Sequence, residues 1–163
     1  MNNKKNIIYY FISMKDFKKF LVKAKKNTYA LSGEREESTL VDGAKELIYK
    51  SENFYYRDRY YGSDPFAGEE VVFLNNKAIW VMNYSGRCLK TVVSKREIYS
   101  FLKKCLKKVN FDNPFRGPGE YCWGDYIYKN KIKGNTDNFC GKEFIYYKNK
   151  KIYELKYHGG LVV

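Results

Sequence analysis

The feature that most limits what this chain can fold into is that it reads as one unit written twice. The stretch from Gly62 to Gly86, GSDPFAGEEVVFLNNKAIWVMNYSG, aligns with the stretch from Gly134 to Gly159, GNTDNFCGKEFIYYKNKKIYELKYHG, once a single residue is inserted after the first glycine. Phe66 then matches Phe139, Gly68 matches Gly141, and Glu70 matches Glu143. Asn76-Lys77 matches Asn149-Lys150, Tyr84 matches Tyr157, and Gly86 matches Gly159. Upstream, Ser13-x-x-Asp16 and Ser94-x-x-Glu97 each open an apolar series at i, i+3, i+4 and i+7: Phe17, Phe20, Leu21, Ala24 and Ile98, Phe101, Leu102, Cys105. A capping-box-like start before such spacing predicts an amphipathic helix in each copy, the second running on to Val109.

Paired strands follow each helix. Val71 to Leu74 and Ala78 to Tyr84 flank Asn75-Asn76, and Phe144 to Tyr147 and Ile152 to Tyr157 flank Lys148 to Lys151. Asn accepts the positive φ of tight hairpin turns. Alternation points Tyr153, Leu155 and Tyr157 inward, with Glu154 and Lys156 outward, and Trp80, Met82 and Tyr84 form the matching inward set. Further strands are expected at Glu46 to Tyr49, Phe54 to Arg59 and Tyr121 to Tyr128, with an acidic loop at Ser32 to Gly43. The sequence thus predicts a single α+β domain over residues 1–163. It would be an internal duplication of a helix-plus-antiparallel-strands unit (about 13–87 and about 94–160) with pseudo-two-fold symmetry, built as one bent sheet or two facing sheets.

Charge and cysteines narrow the functional classes. The formal charge is +13, yet only six of the 31 basic residues are arginine: Arg35, Arg57, Arg59, Arg87, Arg96 and Arg116. Lysine excess beside many Asn, Ile and Tyr fits an AT-rich coding sequence, so a nucleic-acid partner is an alternative and not the favoured reading. Cys88, Cys105, Cys122 and Cys140 are widely spaced and His158 is the only histidine, so no metal site is expected, and free thiols in a reducing, cytoplasmic compartment are. The run Ile7 to Ile12 is too short to span a bilayer and reads as an edge strand or docking segment.

The residues Phe66-Ala-Gly-Glu-Glu70, Ile79-Trp-Val-Met-Asn-Tyr-Ser-Gly86 and Tyr153-Glu-Leu-Lys-Tyr-His-Gly-Gly160 resemble an uncharacterised family of bacterial domains of unknown function. Ala24-Lys-Lys-Asn-Thr-Tyr-Ala30 and Pro114-Phe-Arg-Gly-Pro118 are similar to the same family, so the resemblance runs from about Asp16 to Val163. Members of it follow a helix-turn-helix domain in transcriptional regulators. Too few residues precede the first helix here for such a domain, so a regulatory role implied by the resemblance would need a separate partner. The resemblance carries no catalytic residues.

Four constellations are candidates for chemistry. The repeated F-x-G-x-E places Glu70 and Glu143 as a carboxylate pair, or else marks a structural bulge in which Gly relaxes the backbone and Glu bonds an amide or a tyrosine hydroxyl. Glu69, matched by Lys142, is not shared by both copies, and neither is His158, matched by Ser85; an unrecognised hydrolase would use Glu69 or His158. Trp80, Tyr84 and Tyr157 belong to an aromatic set able to line a cleft or simply to fill a core. Arg116-Gly-Pro-Gly-Glu120 lacks a phosphate-loop helix start and reads as a turn. The leading expectation is a non-enzymatic ligand-sensing or regulatory domain without a cofactor. Glu69, Glu70, Trp80, Tyr84, Glu143, Tyr157 and His158 are its candidate binding residues for a small molecule. The alternative is a basic accessory protein that holds nucleic acid or an acidic protein through Lys15, Lys18, Lys19, Lys103, Lys104, Lys107 and Lys108 on its helices. That alternative requires both helices on one side of the molecule.

Overall fold

The computed structural model describes residues 13–28 and 37–162. The run Ile7 to Ile12 and the first part of the acidic loop lie outside them. Among the described residues two short helices, α1 (Met14–Thr28) and α2 (Lys95–Leu106), accompany nine strands. These are β1 (Ser38–Thr39), β2 (Lys45–Ser51), β3 (Phe54–Gly62), β4 (Phe66–Leu74), β5 (Lys77–Cys88), β6 (Glu120–Trp123), β7 (Tyr126–Asn135), β8 (Asn138–Tyr147) and β9 (Lys150–Leu161). All nine form one antiparallel sheet in the order β1-β2-β3-β4-β5-β9-β8-β7-β6.

This overturns the expected α+β class with its duplicated helix-plus-strands unit. Only 19% of the described chain is helical and 53% is strand, so the fold is largely β. The reason lies in strands that outrun their sequence signals. Gly86 and Gly159-Gly160 read as strand ends, yet β5 and β9 run through them and pair along Trp80↔Leu161 to Cys88↔Tyr153. Tyr121 to Tyr128 is not one strand, because Gly124 at φ 57° turns the chain between β6 and β7. The polar run Lys129–Asn135, which carries no apolar alternation, completes β7. Within the acidic loop, Ser38–Thr39 is strand β1.

The hairpin turns follow their sequence. Asn75 and Asn76 (φ 48° and 63°) and Lys148 and Asn149 (φ 46° and 63°) form two-residue turns with both central residues at positive φ. Ser94 and Glu97 make the full capping box of α2, which ends at Leu106 and not at Val109.

One face of the sheet is the core. Phe17 packs on Trp80, Phe20 stacks on Phe54, and Phe101 meets Tyr121 and Tyr126. Both helices therefore lie on the same side. Phe115, in the connection between α2 and β6, stacks on Phe139, which stacks in turn on Trp80. Cys105 is buried among them, and burial pushes its thiol up.

The glycines of F-x-G-x-E do not form bulges; the register slips lie further on, at Val72/Phe73 and Ile145/Tyr146. Gly68, Tyr84, Tyr157 and Gly141 stand in one row across four strands. Each glycine leaves room for the neighbouring tyrosine to lie flat over its strand, because a Cβ at Gly68 or Gly141 would strike the ring or hydroxyl of Tyr84 or Tyr157. Gly141→Ala should cost about 1–3 kcal/mol through that overlap, read as a lower urea midpoint. Gly119→Ala, where an added Cβ meets nothing within 4 Å, should change it little.

Candidate functional site

Two polar regions lie back to back on the central strands. The inner one is buried beneath α1 and the connection between α2 and β6. Strand alternation turns Asp58, Glu70, Asn130 and Glu143 into the core, where each is at least nine-tenths buried. Tyr84 leans across Gly68 and donates to Asp58 at 2.6 Å; Tyr157 leans across Gly141 and donates to Asn130 at 2.7 Å. Glu143 receives Arg116 through two bonds of 3.0 and 3.1 Å, and the hydroxyls of Tyr128 and Tyr153 at 2.5 and 3.2 Å. Lys25 of α1 pairs with Glu70.

Burial sets the electrostatics of this cluster. Desolvation lowers the Lys25 ammonium, opposed by its pairing with Glu70. Desolvation also pushes Tyr128, Tyr153 and Tyr157 above the ordinary tyrosine value, and the neighbouring Glu143 carboxylate pushes them further. Two cations thus face three carboxylates in the interior.

Of the predicted binding residues, Glu70, Trp80, Tyr84, Glu143 and Tyr157 all turn to this inner face. None of the five is more than 6% exposed, and Trp80 donates to the Thr136 carbonyl at 3.1 Å. Glu69 and His158 point the opposite way, as the next residues along β4 and β9 must. Glu69 lies 3.6 Å from Arg57.

Reasoning from sequence missed Lys25, Asp58 and Arg116. Lys25 was legible, since Phe17, Leu21 and Lys25 follow each other at i+4 on the buried stripe of α1. In the sequence Arg116 reads as part of a turn, and no local pattern pairs it with Glu143.

The outer face carries no helix among the described residues. Asn83, Ser85, Arg87, Lys131, Lys133, Cys140, Lys142, Lys156 and His158 are all exposed there. Ser85, Lys156, Lys142 and Lys131 are successive cross-strand partners on β5, β9, β8 and β7. Three lysines therefore stand side by side. Strand spacing holds them about 5 Å apart, an arrangement that repels itself. Among the described residues none of the three has a carboxylate in ion-pair range, whereas the neighbouring carboxylates Glu120 and Glu154 are taken by Lys129 and by Arg87 and Lys151.

The helix lysines are arranged differently. Lys15, Lys19, Lys103, Lys104, Lys107 and Lys108 are exposed and Lys18 is half-buried. Lys18, Lys104 and Lys108 lie over Phe111, Trp123 and Tyr121 at 5.3, 3.5 and 4.5 Å.

With this geometry in view, residues 58–162 match the family model of the domain of unknown function DUF5680. The chain belongs to the DUF5680 family. The matched span of this DUF5680 protein contains Asp58, Glu70, Arg116, Glu143 and the whole lysine row, while α1 with Lys25 falls outside it. No curated protein and no solved structure matches the DUF5680 chain. No helix among its described residues is long and apolar enough to cross a membrane.

Proposed function

We propose that this DUF5680 protein is a non-catalytic binding module whose open sheet face holds a polyanion. The observation that carries the reading is the row Lys131, Lys142 and Lys156. Like charges placed directly opposite one another destabilise a sheet, and carboxylates elsewhere on this face are paired with other cations. An anionic polymer laid across the row would relieve that repulsion and release its own counterions.

The inner cluster supports a ligand-sensing role less well. Its tyrosines, carboxylates and cations bond to one another, so a small molecule there would have to displace protein partners that are already well made. The helices satisfy the one-side requirement of the alternative reading, but three of the seven candidate lysines rest on aromatic rings.

The test compares two variants, Lys131→Gln/Lys142→Gln/Lys156→Gln and Lys103→Gln/Lys104→Gln/Lys107→Gln/Lys108→Gln, titrated with heparin and with labelled oligonucleotides over a range of salt. The sheet variant should flatten the slope of log K against log salt by about 2 for a single strand, at roughly 0.7 per neutralised phosphate. Loss confined to the helix variant would move the site to the helices. Equal behaviour of both variants and the native protein would remove the polyanion reading.

A further inference from the structure

We infer that the polyanion is a single-stranded nucleic acid, its phosphates on the lysine row and its bases on the aromatic rings beside that row; this rests on the polyanion reading. Two residues beyond Lys142 on β8, on the same face, stands Phe144, followed by Tyr146, with ring centroids 6.4 Å apart. Both rings are half-buried, so each is rooted in the sheet and still accessible. Phe144 is the cross-strand partner of Lys129 on β7 and of Glu154 on β9.

Two residues along a strand is about 7 Å, a separation that a nucleotide bridges between its phosphate and its base. The face thus offers charge in one row and π-surface in the next, on rigid strands. Duplex DNA keeps its bases stacked inside and could use only the charge, whereas an unpaired strand can lay bases on the rings. Phe144 already holds a cation, with the Lys151 ammonium 5.2 Å from its centroid. That ammonium sits on a flexible stem that a stacking base can push aside. Stacking and phosphate contact need no bidentate base readout, so the scarcity of arginine that counts against base-reading proteins is no obstacle to this partner. The exposed Asn83, Ser85 and His158 add hydrogen-bonding groups on the neighbouring strands.

The experiment measures fluorescence anisotropy of labelled oligo-dT, oligo-U and a hairpin duplex of equal length, with heparin as a fourth ligand, for the native chain and Phe144→Leu/Tyr146→Leu. The native chain should bind either single strand at least tenfold more tightly than the duplex. The leucine variant should lose roughly tenfold per ring for single strands and keep its heparin affinity. Phe144→Tyr, which keeps a ring, should retain single-strand binding and so separate stacking from damage to the fold.

Equal native affinity for single strand and duplex overturns this inference, and so does an unchanged leucine variant. If heparin and all three oligonucleotides fail to bind at low salt, the polyanion reading itself falls. If heparin binding depends on the lysine row while the rings have no effect, only the single-strand assignment falls.

Discussion

Arg116→Met should destabilise the protein by about 3–5 kcal/mol, the range for stripping one partner from a buried ion pair. The guanidinium holds Glu143 through two hydrogen bonds, and Glu143 is fully buried. Without it the carboxylate keeps the hydroxyls of Tyr128 and Tyr153, but no cation bonded to it offsets its desolvation. For a chain of this length the melting temperature should fall by roughly 6–20 °C. Arg116→Met/Glu143→Gln should recover part of that loss, because it removes the unpaired buried charge while the amide oxygen still accepts from the tyrosine hydroxyls. A single variant that melts within a degree or two of the native protein would show that the pair is solvated or otherwise compensated.

The second large effect is steep alkaline unfolding. Burial and Glu143 hold the hydroxyls of Tyr128, Tyr153 and Tyr157 above the ordinary value of 10.0. A group raised in the folded state contributes stability that is complete below its unfolded pKa and is lost as pH rises towards its folded one. Each such tyrosine removes about 1.4 kcal/mol per pH unit above 10, so the three together remove roughly 4 kcal/mol per unit. Lys25 works in the other direction and elsewhere. Its folded value lies below the ordinary lysine value of 10.5, so its contribution grows as pH climbs to that point and is constant beyond it. It cannot offset the tyrosines above 10.5. Part of the absorbance of the 17 tyrosines should appear only together with the loss of circular dichroism, in one cooperative step. Complete ionisation of all 17 while the fold persists would refute the assignment.

Much of the inner face was legible because alternation is a local signal. Tyr153, Leu155 and Tyr157 could be turned inward from their spacing alone, and Trp80, Met82 and Tyr84 from the repeat. The glycines of F-x-G-x-E were legible as special positions but not in their role, since the tyrosine each one accommodates sits on a neighbouring strand. What stayed hidden depends on pairing between distant segments. Nothing near Leu155 announces that β9 will join β5, and without that join the sequence leaves both one bent sheet and two facing sheets open. The lysine row was hidden for the same reason. Lys131, Lys142 and Lys156 each look like an ordinary solvated residue within its own strand, and they become neighbours only once β7, β8 and β9 are laid side by side. The basic stripes that could be read from sequence were those on helices, where neighbours are fixed by a period within one segment.

The two outermost strands are also the two shortest, β1 with two residues and β6 with four. The ladder they leave open is confined to two short stretches: β1 covers Lys45 and Glu46 of β2 and β6 covers Tyr126 to Lys129 of β7, so Leu47 to Ser51 and Lys131 to Asn135 have no strand partner on that side among the described residues. An open ladder is a template along which further copies can add, the route by which β proteins polymerise into fibres. Lys50 on the first stretch and Lys131 and Lys133 on the second place charge where an added strand would have to approach, and so oppose that addition.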